Sequence, residues 1–549
     1  MKLRYVFVAL AVALVLQDPA AEGQRWWKHV EFLASDALQG RNVGTPGFEQ
    51  AAGYVEAQFK DIGLTPGGTA GYRQPVELES RTLVPADSTL TLVRDGQAQP
   101  LTMGEDASLS ARGELNGSIE APMVFVGYGL SVPEAKWDDL AGLDLHGTIA
   151  VYVNAMAPMD ASDNVKSHVG SAGERWAVLR KAGAIGIATL PNPRPRPGAG
   201  PARGGRGAAG AGRGGAARGR GGQPPRPSIV LADRALQDQA GEAVSISMTR
   251  RGAEKLLAGT GHTVEELDAL VADKKPLPRF ALPGTLRAHA TETRAAIDSE
   301  NVIGIYEGSD PRLKHEYVVM SAHLDHLGVG RPLNGDDIYN GAMDDASGVA
   351  SVIEIARLLK ASGAKPKRSI LFMTQTAEEK GELGSKYFAA HPTVPFDSLV
   401  ADINLDMFLP LYPLKVIEVQ GLTESSLGRT VAAAAKAVGV DVQTDREPEQ
   451  NRFIRSDQYS FIRRGIPSLA FKFGYEFGSP QEQIRRDWVR DVYHKPNDDL
   501  KQPVDTEAAA TFDRVILGLL ERVADDPARP TWNPDSFFKR FATESGGRP

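Results

Sequence analysis

The chain has 549 residues, a formal net charge of -7 and no cysteine. Its length exceeds the size at which single hydrophobic cores stop growing, so we expect two domains. The modest negative charge disfavours a nucleic-acid-binding protein, and the absence of cysteine excludes disulfides, thiolate zinc sites and a lipid attached to an N-terminal cysteine.

The N-terminus has the pattern of a secretory signal peptide. Lys2 and Arg4 precede an uncharged apolar run over residues 5–16, and the small residues Ala20 and Ala21 follow. This run is shorter than the ~20 residues that span a bilayer, so we expect no stable membrane anchor. We predict a signal peptide over residues 1–21 and a secreted or periplasmic protein.

Residues 24–80 carry helical signals and are predicted to form the N-terminal part of the main domain. Phe48, Ala52, Val55 and Phe59 recur at three- and four-residue spacings, which is typical of one buried helix face. Gly63 then fits the end of that helix.

From residue 81 to residue 275 the pattern changes to short strands, which predicts an inserted β-rich domain. Within it, residues 191–227 consist largely of Pro, Gly, Ala and Arg and contain no acid, so we expect a disordered loop. Arginine-glycine tracts can bind RNA, but the signal peptide argues against that role. We therefore expect no nucleic-acid partner.

Residues 285–549 are predicted to form the main part of the catalytic domain to which residues 24–80 also belong. Buried strands are predicted over 317–320, 369–375, 399–405 and 468–473, and helices over 348–359 and 508–523. Alternating strands and helices predict an α/β/α sandwich. His323 and Asp325 follow the first of these strands, at the strand end where open α/β sheets place their ligand sites.

Five segments of this half supply metal-ligand side chains in order. They are YVVMSAHLDH (317–326), NGAMDDASG (340–348), TAEEKG (376–381), NLDM (404–407) and YHKPNDD (493–499). Together they resemble the di-zinc aminopeptidases of metallopeptidase family twenty-eight. The turn LASDALQGRNVGTPG (33–47) resembles the opening of secreted bacterial members, and the segment at 124–153 resembles a protease-associated domain.

The resemblance implies a mostly parallel mixed sheet and two Zn²⁺ ions per chain. It assigns the ligands as His323, Asp344, Glu379, Asp406 and His494, with Asp344 bridging the two ions. Each ion would then hold one histidine and one further carboxylate, which suits a pair of metals that clamp an attacking hydroxide and a polarised carbonyl. The inserted domain would be a lid, a substrate-access module or a stabilising element.

Adjacent side chains in an extended or loop segment diverge, so Glu379 can bind metal while Glu378 acts as general base. Asp325 is placed to accept the second imidazole N–H of His323 and orient the ring. The resemblance further implies that Tyr493 stabilises the oxyanion and that Arg455 helps to position the substrate.

His326 is predicted to be structural. The resemblance also implies a cis peptide bond between Asp344 and Asp345.

The predicted function is that of a secreted di-zinc exopeptidase that removes N-terminal residues from peptide substrates. Aminopeptidase is preferred because no feature of the sequence supplies a site for a substrate's terminal carboxylate. The alternatives are a carboxypeptidase of the same family, a glutaminyl cyclase or an inactive binding protein. Intact ligands and an intact Glu378 argue against the last of these, and no oligomeric state is predicted.

Overall fold

A computed structural model describes residues 18–114, 117–192 and 227–544. The apolar run of the predicted signal peptide and most of the predicted arginine-glycine loop lie outside these residues. Across the described ranges, no helix combines the length and the apolar character needed to cross a membrane.

The helices of the described residues are numbered along the chain. They are α1 (Pro19–Leu33), α2 (Pro46–Ile62), α3 (Asp163–Gly170), α4 (Ala172–Lys181), α5 (Arg250–Leu257), α6 (Val264–Ala272), α7 (Ser347–Ser362), α8 (Leu383–Ala390), α9 (Leu427–Ala437), α10 (Gln458–Ile462), α11 (Pro480–Asp491), α12 (Thr506–Asp525) and α13 (Lys539–Glu544).

The strands are numbered in the same way. They are β1 (Thr65–Pro66), β2 (Arg73–Leu83), β3 (Thr89–Arg94), β4 (Gln97–Leu101), β5 (Ala107–Leu109), β6 (Gly117–Phe125), β7 (Ser131–Val132), β8 (Trp137–Asp138), β9 (Ile149–Val153), β10 (Gly186–Leu190), β11 (Ser228–Leu231), β12 (Val244–Met248), β13 (Phe280–Ala290), β14 (Glu292–Tyr306), β15 (Tyr317–His323), β16 (Gly328–Leu333), β17 (Asp336–Tyr339), β18 (Ser369–Gln375), β19 (Leu399–Asn404), β20 (Val416–Gln420), β21 (Asp441–Thr444) and β22 (Ser468–Phe473).

Helix α2 shows how the local sequence specifies these elements. Its N-cap Thr45 accepts a hydrogen bond from the Phe48 amide, and Pro46 occupies the first turn, where a missing N–H costs nothing. Gly63 ends the helix in the left-handed conformation at φ 79°. The predicted apolar face is buried, so the prediction of this helix is confirmed.

The larger sheet has the strand order β11-β2-β14-β18-β15-β19-β22-β20-β21, with β1 paired to β14. Its centre, from β18 through β15 and β19 to β22, is parallel. On the other side of β18, the pairs β18–β14, β14–β2 and β2–β11 are antiparallel, and β20 runs antiparallel to β22.

The prediction of a mixed sheet is confirmed, but the sheet is not mostly parallel, because five of its nine described strand pairs are antiparallel. The reason is the long pairing of β2 with β14: the chain leaves the sheet along β2, builds the intervening structure and returns antiparallel along β14.

Helices cover both faces of this sheet. Helices α1, α2, α7, α9 and α12 pack together on one face around a single apolar core. Helices α8 and α10 pack on the other face, where Phe388 and Phe461 contact Val319 and Leu371 in a second, smaller cluster. The layers are those of an α/β/α sandwich.

The second sheet has the order β4-β3-β13-β6-β9-β10-β12-β5 and its own apolar core with α5 and α6. Its last strand, β13, lies beyond residue 275, where we placed the domain boundary. Strand β11, which lies inside the predicted insert, pairs with β2 of the larger sheet instead. The chain passes from β13 to β14 across one residue, Thr291.

The second sheet's helices dock on α8 and α10. Glu174 of α4 forms an ion pair with Arg463, which directly follows α10. The distance from Arg463 Nη2 to Glu174 Oε1 is 2.5 Å. Asp238 pairs with Lys386 of α8 at 2.7 Å. This docking places the second sheet against α8, which begins five residues after Glu378.

Candidate metal centre

Three of the five predicted ligands follow neighbouring parallel strands. His323 ends β15, Glu379 lies four residues after β18, and Asp406 lies two residues after β19. Strand β15 lies between β18 and β19 and is parallel to both. The carboxyl ends of these strands therefore meet at one edge of the sheet, which brings the three side chains together.

The other two ligands come from loops. Asp344 lies in a tight turn, residues 342–346, that leads into α7, and the Asp344–Asp345 peptide bond is cis, in agreement with the resemblance. The Asp345 carboxylate accepts hydrogen bonds from the amides of Gly348 and Met407, which anchors the turn. His494 lies in the loop after α11.

The first group of ligand atoms is centred on His323. Its Nε2 lies 3.2 Å from Asp344 Oδ1 and 3.8 Å from Asp406 Oδ1. All three ligand atoms lie within 4.8 Å of one another, and the histidine and Asp344 are buried.

The second group uses the other oxygen of Asp344. His494 Nε2 lies 3.1 Å from Asp344 Oδ2 and 3.3 Å from Glu379 Oε1. His326 Nδ1 lies 2.8 Å from the same Glu379 oxygen but 3.9 Å from Asp344 Oδ2. Two imidazoles therefore flank this pair of carboxylates.

The two histidines, His326 and His494, differ in their distances to the Asp344 and Glu379 carboxylates. Ligands about 2.05 Å from a tetrahedral zinc ion lie about 3.3 Å apart, which matches the spacing of His494 to both carboxylates. His326 Nδ1 approaches the same Glu379 oxygen more closely, but neither of these two atoms makes a hydrogen bond among the described residues. His494 thus has the spacing of a ligand to both carboxylates, while His326 also lies within reach of an ion held by Asp344 and Glu379.

The donor set fits two divalent ions. Asp344 Oδ2, Glu379 Oε1 and Asp406 Oδ1 are buried and make no hydrogen bond within the described residues. Buried carboxylate oxygens without hydrogen bonds are costly unless a cation satisfies them. Imidazole nitrogen and carboxylate oxygen are ligands that zinc accepts.

The carboxylates and imidazoles of the two groups shift one another's pKa values. Burial lowers the pKa of His494, but Glu379 and Asp344 outweigh it and raise that pKa to about 10. Burial and Glu379 act to raise the pKa of the Asp344 carboxyl, yet His323 and His494 hold it below its ordinary value. Without metal the His494 imidazole therefore carries a proton at neutral pH, and metal binding at this nitrogen would release it.

The structure corrects the predicted role of Asp325. The His323 Nδ1 atom lies 3.0 Å from the backbone carbonyl oxygen of Asp325, not from its carboxylate. The Asp325 carboxylate instead accepts a hydrogen bond from the Glu378 amide at 2.9 Å. The prediction was wrong because the chain turns sharply after β15 and presents the main chain of Asp325 to the ring.

Glu378 belongs to neither group of ligand atoms. Its amide is held by Asp325, which fixes the turn that separates Glu378 from Glu379. Burial raises the pKa of the Glu378 carboxyl well above its ordinary value, against the opposing charge of His323.

Tyr493 lies directly beside the second group. Its ring stacks on the His494 imidazole with centroids 3.9 Å apart. Burial raises the pKa of the Tyr493 hydroxyl well above its ordinary value, and Asp344 adds to the rise, so this phenol stays protonated as a hydrogen-bond donor.

Arg455 lies in the loop before α10, where its guanidinium donates to the carbonyl oxygen of Gln450. The same loop supplies Ser456 and Gln458, which accept hydrogen bonds from Asn404, two residues before Asp406. A role for Arg455 in positioning substrate stays a prediction.

The sequence interpretation missed two contacts at this centre. His326 was assigned a structural role, although its spacing in HLDH put it near the ligands. Lys472, whose ammonium donates to the Asp406 carbonyl oxygen, was not considered. Its signal was a lone charged residue in the buried strand β22, and a buried charge of that kind requires a partner.

Comparison with known proteins identifies this architecture. The sequence model described as Peptidase family M28 matches residues 301–520, which contain all five ligand positions. This part of the chain is similar to peptidase family M28. The chain is 28% identical over 272 residues to "Probable leucine aminopeptidase 2" of Aspergillus fumigatus, a match that covers 46% of the chain and 50% of the relative.

A second relative is Carboxypeptidase Q of Bos taurus, 36% identical over 115 residues, which cover 21% of this chain and 22% of the relative. The matches thus span half or less of these curated relatives. The structure of an aminopeptidase from Aneurinibacillus sp. strain AM-1 aligns over 94% of this chain and 97% of its own, with a TM-score of 0.51 and 20% identity. The overall fold is therefore shared with that structure.

Proposed function

We propose that this protein is a secreted two-zinc exopeptidase that removes N-terminal residues from peptides. One observation carries the proposal: Asp344 directs one oxygen to His323 and the other to His494 and Glu379, so a single carboxylate joins two ligand groups. Two metals held in this way are typical of aminopeptidases.

Zinc bound at this centre would activate a water molecule and polarise the carbonyl of the scissile bond. Glu378 takes the proton of that water and delivers it to the leaving amine. Its raised pKa matches this task, because a general base must also release the proton as an acid. The Tyr493 hydroxyl donates a hydrogen bond to the oxyanion.

The negative charge of the centre supports the choice of an N-terminal substrate group. The carboxylates of Glu378 and Asp406 can accept hydrogen bonds from a substrate ammonium. The leucine aminopeptidase name of one relative agrees with this choice.

Carboxypeptidase is the second candidate. It is favoured by the relative named Carboxypeptidase Q, which is more identical to this chain than the leucine aminopeptidase is, although over a shorter stretch.

Acetylating the N-terminus of a good tripeptide substrate should lower kcat/KM at least about tenfold. A neutral amide forfeits charge-assisted hydrogen bonds worth about 1.5–3 kcal/mol each, and one such bond corresponds to roughly one to two powers of ten in rate. The measurement is kcat/KM on the free and the acetylated peptide, each with and without a zinc chelator.

The matched control is the same tripeptide amidated at its C-terminus, which should be cleaved nearly as well as the free peptide. If amidation destroys activity while acetylation leaves it unchanged, the protein is a carboxypeptidase.

We also propose that the second sheet is a protease-associated domain that controls access to the centre. Its docking on α8 and α10, next to the Glu378 loop, supports this role. If this domain only stabilised the fold, kcat/KM would not depend on the length of the peptide substrate.

A further inference from the structure

Arg41 lies in the LQGR turn before α2 and is completely buried. Its backbone is in the left-handed region at φ 46°, and its guanidinium donates only to main-chain carbonyl oxygens among the described contacts. A buried arginine without a carboxylate in direct contact is uncommon, because charge is costly to bury. Its carbonyl partners therefore indicate its role.

Those partners belong to two loops of the metal centre. Arg41 Nε donates to Leu324 O at 2.9 Å, one residue after His323. Nη1 donates to Asn340 O at 2.7 Å and Nη2 to Gly341 O at 3.1 Å, just before the turn that carries Asp344. One planar group thus joins the two loops that carry the ligands His323 and Asp344.

Two further contacts tighten the arrangement. Nη1 also donates to the carbonyl oxygen of Leu33 at the end of α1, which ties both loops to the helical layer. In return, the Arg41 carbonyl oxygen accepts a hydrogen bond from the amide of His326 at 3.3 Å. Both the side chain and the main chain of Arg41 therefore contact ligand loops.

The charge of Arg41 is balanced by acids around it. Burial lowers the pKa of the Arg41 guanidinium to about 10, against the opposing effects of Asp498, Asp325, Asp345 and Asp344. Asp498 also accepts hydrogen bonds from the amides of Met343 and Asp344, so the turn is held from its other side.

We propose that Arg41 is a positioning residue of the metal centre, which sets the separation of His323 and Asp344 by fixing their two loops to one guanidinium. This inference rests on the proposed two-metal function. It assigns a role in metal binding to the turn that precedes α2.

The geometry requires a guanidinium. Its Nε and Nη atoms donate in fixed directions from one rigid plane, whereas a lysine ammonium is a compact point charge at the end of a flexible stem. Lysine can satisfy one loop but cannot hold both at a set distance. Arg41→Lys should therefore keep the charge and lose the positioning.

The test compares Arg41→Lys with Arg368→Lys. Arg368 is the control because it is also completely buried and donates to the carbonyl oxygens of Val523 and Asp526 at the opposite end of β18, although it differs from Arg41 in also pairing with the Glu316 carboxylate. Zinc affinity of each apoprotein is measured by competition with a chromophoric chelator, together with Tm, kcat and KM.

We expect Arg41→Lys to weaken zinc binding about 10–100-fold and to lower kcat more than it changes KM. Arg368→Lys should lower Tm and leave zinc affinity and kcat unchanged. Wild-type zinc affinity in Arg41→Lys, with a loss of Tm like that of Arg368→Lys, would assign Arg41 to general stability and overturn the inference.

Two other outcomes are also decisive. If Arg41→Lys folds only when zinc is added, metal binding replaces the lost constraint and the inference stands. If no zinc concentration restores the fold, Arg41 serves the fold alone and the inference is wrong. A wild-type protein that binds zinc without cleaving peptides would refute the proposed activity but not the role of Arg41, and one that binds no zinc would refute both.

Discussion

Glu378→Gln is expected to lower kcat on a good peptide substrate by about 10²–10⁴-fold while two zinc ions stay bound. The substitution keeps the size of the side chain and the amide contact to Asp325, and it removes the group that accepts the proton from water. Because Glu378 has no place in either ligand group, the metal centre should be intact.

Metal content of the purified variant is measured alongside kcat. Glu382→Gln is the matched control, since Glu382 is a buried acid of the same turn that contacts no ligand in the described structure. The control should retain kcat within a few fold. A Glu378 variant that has lost both ions would mean that Glu378 is a ligand and that the base lies elsewhere.

Asp344→Ala is expected to remove activity and both zinc ions together. Each group depends on one oxygen of this carboxylate, at 3.2 Å from His323 and 3.1 Å from His494, so its loss removes a ligand from both. It also leaves two clustered imidazoles and two carboxylates without the group that joins them. Other single-ligand variants should lose one ion in preference to the other.

Zinc content per chain and Tm are the measurements. Asp402→Asn is the control, because Asp402 is a buried acid of β19 that accepts a hydrogen bond from Ser321 and contacts no ligand among the described contacts. It should keep both ions. An Asp344→Ala protein that retains two zinc ions would contradict a bridging role.

The sequence by itself determined the strands and the order of the ligands. Strand β18 was predicted over 369–375 and β22 over 468–473, the same residues that form them, because strands covered on both faces read as continuous apolar runs with abrupt ends. His323, Glu379 and Asp406 follow such ends, and the parallel pairing of neighbouring strands then brings them together.

Only the tertiary structure decided the contacts between distant segments. The Arg41 guanidinium meets Leu324 across 283 residues of sequence, and no local pattern encodes that distance. The mixed direction of the large sheet follows from the pairing of β2 with β14 across the whole second sheet.

The sequence also did not predict which atoms are in contact at the metal centre. Spacing placed Asp325 near His323, but the turn after β15 presents its carbonyl oxygen to the ring and its carboxylate to Glu378. His326 lies against the Glu379 carboxylate for the same reason, because the conformation of the loop after β15 sets the direction of each of its side chains. Residue types and order are local properties of a sequence, whereas orientation is a property of the packed loops.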